Sequence, residues 1–320
     1  MIELDVSNFS KPYDHLNGNK SQKVTPLDLA RAMITIGHGS WYSAFNHNIF
    51  RVGELICKAL AFSEIVNSNL VLTKGFHRLN QSEKATVSYY FGQGLTKLYS
   101  EKHLKVKYLF HVDDYISFIN YHTKGSAKSK ITIGNSSKNA SRPDLIGFVK
   151  RNNSHILEAK GNSTGYQKNT MQHAINQVSQ IISYNGVTPL TRTACFFDLS
   201  NTPIKGIIID PENDDNGIIL EFDEDAAMNK YYSFFIENYQ RFTRTINIGK
   251  YEYSVAAIGS PNINFGFDKR ILELEKYKLL DNDLYPDGID DLPLSDFENN
   301  EFSLGLDGVL LFNEQHKLKI

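Results

Sequence analysis

Two carboxylates and one lysine occur in this chain at a spacing that could support catalysis. Asp144 precedes an apolar run, and Glu158 and Lys160 belong to a second apolar run that follows four turn residues. Side chains alternate between the two faces of a strand, so Glu158 and Lys160 are expected to share one face. If residues 144–150 and 155–160 form a hairpin, Asp144 lies at the end of its strand near Lys160, and the three charged groups converge.

These residue types suit a divalent cation that is bound by oxygen atoms. Two carboxylates, with the backbone carbonyl of Ala159 between them, are the hard ligands that Mg²⁺ or Mn²⁺ prefers. Such a metal polarises a phosphodiester and lowers the pKa of a bound water, while Lys160 can orient that water or stabilise the transition-state charge. The pattern therefore predicts metal-assisted phosphodiester hydrolysis.

The same residues resemble a known motif. Pro143-Asp144, followed by Glu158-Ala159-Lys160, is similar to the PD-(D/E)xK motif of the restriction-endonuclease-like nuclease superfamily. The core of that family is a helix, a three-stranded meander, a crossover helix and a further strand, and residues 85–210 follow this order. The resemblance implies that Asp144 and Glu158 bind the metal and that Lys160 is the catalytic lysine. It also implies an acid from the preceding helix, for which Glu101 is the best-placed residue, although a surface position would explain Glu101 equally well.

An ordinary hairpin with a charged end is the alternative interpretation of this motif. In that case Glu158 and Lys160 form a solvated ion pair that contributes little to stability. However, Glu158-Ala159-Lys160 is the only acid-x-Lys triplet in a chain with 36 acidic residues. It also lies on the second of two successive apolar strands, with a helix behind it, and this position favours the nuclease interpretation.

The segment after the motif shows helical spacing over residues 167–184. Gln180 and Tyr184 fit the Q-x-x-x-Y pattern of the recombination-type exonuclease branch of the family. A helical wheel places Gln180 almost opposite the apolar face and Gln177 nearer its edge. Both glutamines could contact a nucleic-acid backbone, but plain solvent would suit them equally, so the branch is left open.

A basic and flexible stretch lies directly before the motif. It combines glycine, serine and asparagine with five cationic side chains that could contact phosphate without reading sequence. These residues are Lys124, Lys128, Lys130, Lys138 and Arg142.

The elements that must position these residues predict an α/β (α+β) fold. We expect a helical region at 1–84, with an irregular lead-in of about 20 residues. A restriction-endonuclease-like core with a mixed sheet is expected at 85–210, and an acidic α+β region at 211–320.

Composition excludes several classes of protein. No stretch approaches the ~18 to 20 apolar residues of a membrane helix, and no secretory signal is visible at the N-terminus, so we expect a cytoplasmic protein without membrane contact. With two cysteines, a disulfide scaffold and a multi-cysteine zinc site are excluded.

The net charge of −2 is the average of two opposed regions. Residues 85–210 carry fifteen Lys and Arg against seven Asp and Glu, or +8, whereas residues 211–320 carry ten against twenty-two, or −12. A basic core is compatible with a polyanionic partner. We also hypothesise that the acidic region faces the basic core and competes with DNA.

The sequence thus favours a nuclease that depends on Mg²⁺ or Mn²⁺ and cleaves DNA at Asp144, Glu158 and Lys160. A role in defence against foreign DNA is implied by the resemblance alone. The alternatives are a non-catalytic nucleic-acid-binding module with the same fold and an RNA-directed nuclease. A homodimer and a partner protein are both left open.

Overall fold

The computed structural model describes residues 1–36, 49–112, 119–123, 142–212, 218–258, 260–273, 278–286, 288–289, 292 and 301–314. The architecture is mixed α/β, with a large mixed sheet and several helices.

The strands, in chain order, are β1 (Ile2–Ser7), β2 (Gly18–Gln22), β3 (Ser63–Val66), β4 (Asn69–Leu72), β5 (Tyr108–His111), β6 (Ile119–Thr123), β7 (Leu145–Lys150), β8 (Asn153–Asn162), β9 (Ile181–Tyr184), β10 (Thr191–Asp198), β11 (Lys205–Ile209), β12 (Ile218–Phe222), β13 (Arg244–Ile248), β14 (Tyr251–Ile258), β15 (Ser260–Asp268), β16 (Glu301–Leu304) and β17 (Val309–Asn313). The α-helices are α1 (Pro26–Ile36), α2 (Ile49–Phe62), α3 (Lys74–His77), α4 (Gln81–His103), α5 (Lys168–Ser179) and α6 (Glu224–Asn238).

Seven strands form the central sheet, in the order β2-β1-β11-β10-β8-β7-β5. Strands β5, β7 and β8 are antiparallel neighbours, whereas β8 and β10 run parallel. The chain reaches β10 from β8 through α5, as a parallel pair requires a crossover connection. Helix α4, the antiparallel meander, the crossover helix and the parallel strand therefore follow one another in that order.

Helix α4 begins at a capping box and packs closely on β8. The Asn80 side chain accepts a hydrogen bond from the Glu83 N–H, and the Glu83 carboxylate accepts one from the Asn80 N–H. Further along, Gly92 lies against Gly161 of β8. A Cβ atom on Gly161 would lie 2.1 Å from the carbonyl oxygen of Ser88, so only glycine permits this approach. Helix α4 thus covers the face of β8 to which Gly161 belongs.

The crossover segment lies on the opposite face of β8. Lys160 and Phe196 are register partners on β8 and β10, so their side chains share the face that also carries Glu158. The Tyr166 ring, just before α5, packs against the Phe196 ring on that face. Helix α5 contributes buried Met171 to the same core. The two helices therefore cover the two faces of the sheet.

Smaller sheets complete the described part. Strands β6, β12 and β9 form a three-stranded sheet, β3 and β4 form a hairpin, and the C-terminal strands form an antiparallel sheet in the order β13-β14-β15-β17-β16. No helix within the described ranges combines the length and the hydropathy that a membrane span requires.

The N-terminal region differs from the sequence prediction. Residues expected to be an irregular lead-in form β1 and β2, and β1 pairs in parallel with β11. Strand β2 (Gly18–Gln22) was missed because it is polar along its whole length. Strand β1 does alternate buried and exposed residues, but its pairing with β11 joins segments that are about 200 positions apart. The central sheet consequently includes strands from both sides of the expected boundary at residue 84. The helices that were expected before this boundary are present.

The C-terminal region is joined to the core by a buried ion pair. Lys97 of α4 lies 2.9 Å from Asp307, in the turn between β16 and β17, and both side chains are fully buried. The Arg31 guanidinium of α1 donates to the Ser303 hydroxyl at 2.9 Å. The described strands β16 and β17 of the C-terminal region therefore pack against helices α1 and α4.

Candidate active site

Asp144, Glu158 and Lys160 come together at one end of the β7–β8 hairpin. The Lys160 Nζ lies 3.7 Å from Asp144 Oδ2 and also forms an ion pair with Glu158 Oε1. The backbone N–H of Asp144 donates a hydrogen bond of 2.6 Å to Glu158 Oε2. The predicted convergence of the three residues is confirmed by these contacts.

The hairpin register produces this convergence. Leu145 and Leu157 are paired, so Asp144 stands directly before β7 and next to Glu158 of β8. At the other end the chain turns through Asn152, whose φ of 62° lies in the left-handed region that asparagine tolerates. Turn chemistry and strand alternation together place the three charged groups on one side.

The Glu158 carboxyl group is fully buried. Burial, followed by the charge of Asp144, raises the pKa of Glu158 to about 8, and the interactions with Lys160 only partly counteract this rise. Two carboxylates in such proximity repel each other when both are ionised. A cation placed between the two carboxylates would therefore reduce their electrostatic repulsion.

Lys160 provides one such cation. Burial by itself would lower the pKa of the Lys160 ammonium group, but the charges of Asp144 and Glu158 outweigh burial and raise the pKa. The Lys160 side chain is 28% exposed, so part of it reaches solvent while its ammonium group contacts both carboxylates.

The oxygen atoms of the site fit Mg²⁺ or Mn²⁺. Asp144 Oδ2 is a buried atom that accepts no hydrogen bond from the described residues. The carbonyl of Asn162 accepts from Leu199, on the β10 side of β8. Carbonyls alternate in direction along a strand, so the Ala159 carbonyl points to the other side, where Asp144 lies. Asp144, Glu158 and the Ala159 carbonyl would thus supply the oxygen ligands of such a cation.

A cation at this place would have only two carboxylates as side-chain ligands among the described residues. Among the described residues, no group of three or more His, Cys, Asp or Glu side chains is arranged to hold a metal ion. Mg²⁺ is commonly held by one or two carboxylates, with waters and substrate phosphates completing its shell. The pair of Asp144 and Glu158 is compatible with that mode.

Glu101, the expected acid from the preceding helix, lies elsewhere. Its carboxylate is bound by Arg31, with distances of 2.6 and 3.1 Å, and lies 3.2 Å from Lys97. Helix α4, which carries it, covers the face of β8 opposite to Glu158. The structure therefore does not bring Glu101 to the other two carboxylates, and its buried ion pairs give it a structural role.

Gln177 of α5 does lie beside the site. Its side-chain amide donates a hydrogen bond of 2.7 Å to the backbone carbonyl of Arg142, two residues before Asp144. Its oxygen contacts His173 Nδ1 at 2.7 Å. Contact with nucleic acid and contact with solvent were both left open for Gln177; the structure shows that its hydrogen bond connects α5 to the segment that leads to Asp144.

The helical Q-x-x-x-Y pattern is absent from the described structure. Helix α5 ends at Ser179, and Gln180 only follows it, with its carbonyl accepting from the N–H of Ile218. Tyr184 belongs to strand β9, and its buried hydroxyl donates to Glu224. The expectation of a helix to residue 184 was wrong because the apolar spacing of α5 continues into Ile181 and Ile182. These residues begin strand β9, which pairs with β12 through Ile181, Ser183 and Tyr184.

The basic stretch can be located only in part. Lys124, Lys128, Lys130 and Lys138 lie outside the described residues, whereas Arg142 is half-buried beside Pro143.

The acidic C-terminal region does contact the basic core. Arg151, in the turn of the β7–β8 hairpin, lies 2.7 Å from Asp225, 2.9 Å from Asp281 and 3.2 Å from Glu224. That turn is the end of the hairpin remote from Asp144. Within the described ranges, these contacts therefore do not support direct competition with DNA at the candidate site.

Comparison of the chain with protein-family models, curated proteins and solved structures gives no match.

Proposed function

We propose that this chain is a metal-dependent nuclease that hydrolyses DNA phosphodiester bonds at Asp144, Glu158 and Lys160. The observation that carries the proposal is the convergence of two carboxylates and an ammonium group at the end of adjacent strands, with Glu158 fully buried. A buried carboxylate that repels a second carboxylate destabilises the folded state, and groups of this kind are concentrated at functional sites.

The order of elements supports the relationship to the restriction-endonuclease-like superfamily. Helix α4, the meander of β5, β7 and β8, helix α5 and strand β10 match the core that the motif implies. The motif also occupies the expected place, because the aspartate precedes the second strand of the meander and the acid-x-Lys triplet lies on the third.

Each residue has a distinct task in this proposal. Asp144 and Glu158, with the Ala159 carbonyl, would hold Mg²⁺ or Mn²⁺. The cation, when bound, supplies positive charge to the phosphate and favours ionisation of the attacking water. Lys160 would orient that water or stabilise the negative charge of the transferring phosphoryl group from the solvent side of the site. Gln177 would keep the backbone before Asp144 in place through the Arg142 carbonyl.

The test is turnover of linear and circular DNA, and of RNA, with Mg²⁺ or Mn²⁺. Wild-type protein is compared with Asp144→Ala, Glu158→Ala and Lys160→Ala, and with Glu252→Ala as a control that removes a carboxylate from an exposed ion pair. We expect DNA cleavage by the wild type and the control and its loss in the three site variants. An inert wild type, or equal cleavage by all variants, would contradict the proposal.

A non-catalytic nucleic-acid-binding module is the second candidate. It is favoured by one observation, which is that Lys160 already contacts both carboxylates and partly neutralises them. Calorimetry separates the two functions. A pure binding module should show no Mg²⁺ or Mn²⁺ binding that disappears in Asp144→Ala, whereas a nuclease should show it.

A further inference from the structure

A half-exposed aromatic ring lies beside the candidate catalytic lysine. Phe196 on β10 is the register partner of Lys160 on β8, so the two side chains are neighbours on one face. The Tyr166 ring packs edge-to-face on the Phe196 ring, with 5.2 Å between the centroids. Phe196 is fully buried, whereas Tyr166 is 45% exposed. Tyr166 therefore presents aromatic surface to solvent on the face of the sheet that also carries Lys160.

The Tyr166 ring is positioned without a polar role of its own. Among the described residues its hydroxyl makes no hydrogen bond, and its ring contact is with Phe196. The loop that carries it is shaped by Asn162, whose side-chain oxygen accepts from the N–H and the hydroxyl of Thr164 at 2.9 and 2.8 Å. Burial of an aromatic ring is favourable. An exposed ring on a hydrogen-bonded loop therefore offers a surface on which a flat ligand can stack.

Two lysines near Tyr166 could contact a phosphate. Lys160, which also contacts Asp144 and Glu158, is the register partner of the Phe196 on which the ring packs. Lys168 lies two residues after Tyr166, in the first turn of α5, where no residue is acidic. Aromatic rings interleaved with cationic groups are the combination by which proteins bind single-stranded nucleic acid. A base in an intact duplex has both faces stacked on its neighbours and cannot use such a ring unless it leaves the stack.

We propose that Tyr166 is a stacking platform for an unpaired base of the DNA strand whose phosphate lies at Lys160. The site then takes single-stranded DNA or a frayed strand end in preference to intact duplex. This inference rests on the proposed function for the identity of the ligand, and it adds the class of DNA that the site accepts.

The test measures binding rather than cleavage. Fluorescence anisotropy of a labelled oligothymidylate and of a labelled duplex, with Ca²⁺ as the divalent cation, gives the Kd for the wild type, Tyr166→Phe and Tyr166→Leu. The leucine keeps an apolar cover over Phe196 but removes the aromatic ring, and thermal unfolding checks that both variants fold. We expect the phenylalanine variant to bind the single strand within about twofold of the wild type. We expect the leucine variant to bind it about tenfold more weakly, since stacking on one base is worth about 1–3 kcal/mol.

An oligonucleotide of abasic residues completes the test. The loss caused by Tyr166→Leu should vanish with the abasic strand and with the duplex, because neither offers an unpaired base. Equal binding of the single strand by the wild type and Tyr166→Leu, or an equal loss with all three DNAs, overturns the inference. So does a wild type that binds no single strand.

Failure of this inference and failure of the proposed function are distinguishable. Binding of single strands through Tyr166 without any cleavage contradicts the nuclease function alone. Cleavage that depends on Glu158, together with binding that is indifferent to Tyr166, contradicts only the stacking role.

Discussion

The backbone N–H of Asp144 donates a 2.6 Å hydrogen bond to Oε2 of Glu158, so one candidate metal ligand fixes the position of the other. The contact joins two residues that are 14 positions apart and places both carboxylates beside Lys160. Because it uses a main-chain donor, it persists when the Asp144 side chain is changed. Substitutions can therefore remove the charge of either acid while the hairpin keeps its form.

Metal binding should depend on the charge of Asp144. Asp144→Asn retains the size of the side chain and the main-chain bond to Glu158, but it removes one of the two charged ligands. We expect its Kd for Mn²⁺, measured by isothermal titration calorimetry, to rise about tenfold or more, since losing a carboxylate ligand weakens the hold on a hard cation. The control Glu252→Gln, in an exposed ion pair, should bind like the wild type. Unchanged binding in Asp144→Asn would remove Asp144 from the ligand set.

The buried pair of Lys97 and Asp307 should be required for stability. Asp307→Asn leaves the Lys97 ammonium group buried with less compensating charge, and we expect a loss of about 3–5 kcal/mol in the free energy of unfolding. Glu252→Gln breaks the exposed pair with Lys269 and should cost no more than about 1 kcal/mol. Urea unfolding of both variants and the wild type measures the difference. Equal stability of the two variants would mean that the buried pair does not hold the C-terminal region to α4.

Acidic pH should destabilise the protein through buried histidines. Burial lowers the pKa of His155 to about 3, and burial together with Lys20, Lys102 and Lys105 lowers that of His103 to about 4. An unfolded histidine titrates near 6.5. Below pH 6.5 the unfolded state therefore binds protons that the folded state does not bind. The contribution of these histidines to stability is complete above pH 6.5 and is lost as the pH falls towards 4 and 3.

Each histidine should contribute about 1.4 kcal/mol per pH unit in this window. The raised pKa values of Glu158 and Asp210 act in the opposite direction, so the comparison is made between variants rather than on one curve. Urea unfolding is measured between pH 4.5 and 7.5, values that bracket ~6.5. Towards acidic pH, the free energy of unfolding should decrease less in His155→Phe than in the wild type. An identical pH dependence would show that His155 is not held neutral by the fold.

The close contact between α4 and β8 should tolerate no side chain. In Gly161→Ala the new Cβ would meet the Ser88 carbonyl at 2.1 Å and Gly92 Cα at 2.9 Å. We expect a loss of about 1–3 kcal/mol and weaker cleavage, because the strand that carries Glu158 must shift. The control is Gly53→Ala in α2, where the nearest atom is 3.8 Å away. That variant should be neutral or up to about 1 kcal/mol more stable, as measured by thermal unfolding.

The candidate site could be predicted from the sequence because its geometry depends on residues that are close together in the chain. A strand has a period of two, and a turn of Arg and Asn residues reverses the chain, so strand alternation and turn chemistry suffice to place Asp144, Glu158 and Lys160 together. The mixed sheet over residues 85–210 followed from the same patterns.

The parts that were missed depend on contacts between distant segments. Glu101 could be placed on a helix, but nothing in its neighbourhood shows that Arg31, 70 positions earlier, would bind it. Tyr184 was placed on the polar face of an expected helix, whereas it belongs to a strand that exists because β12 pairs with it. The exposure of Tyr166 likewise depends on Phe196, which lies on another strand.

In the proposed nuclease, Glu158 serves hydrolysis of a phosphodiester bond. The most direct measurement is the rate of cleavage of labelled DNA in Mn²⁺ by the wild type and by Glu158→Gln, which keeps an oxygen to accept from the Asp144 N–H. We predict cleavage by the wild type that stops when EDTA removes the metal, and a rate at least about a hundredfold lower in Glu158→Gln. Cleavage at the same rate by both proteins, or none by the wild type, would contradict this role of Glu158.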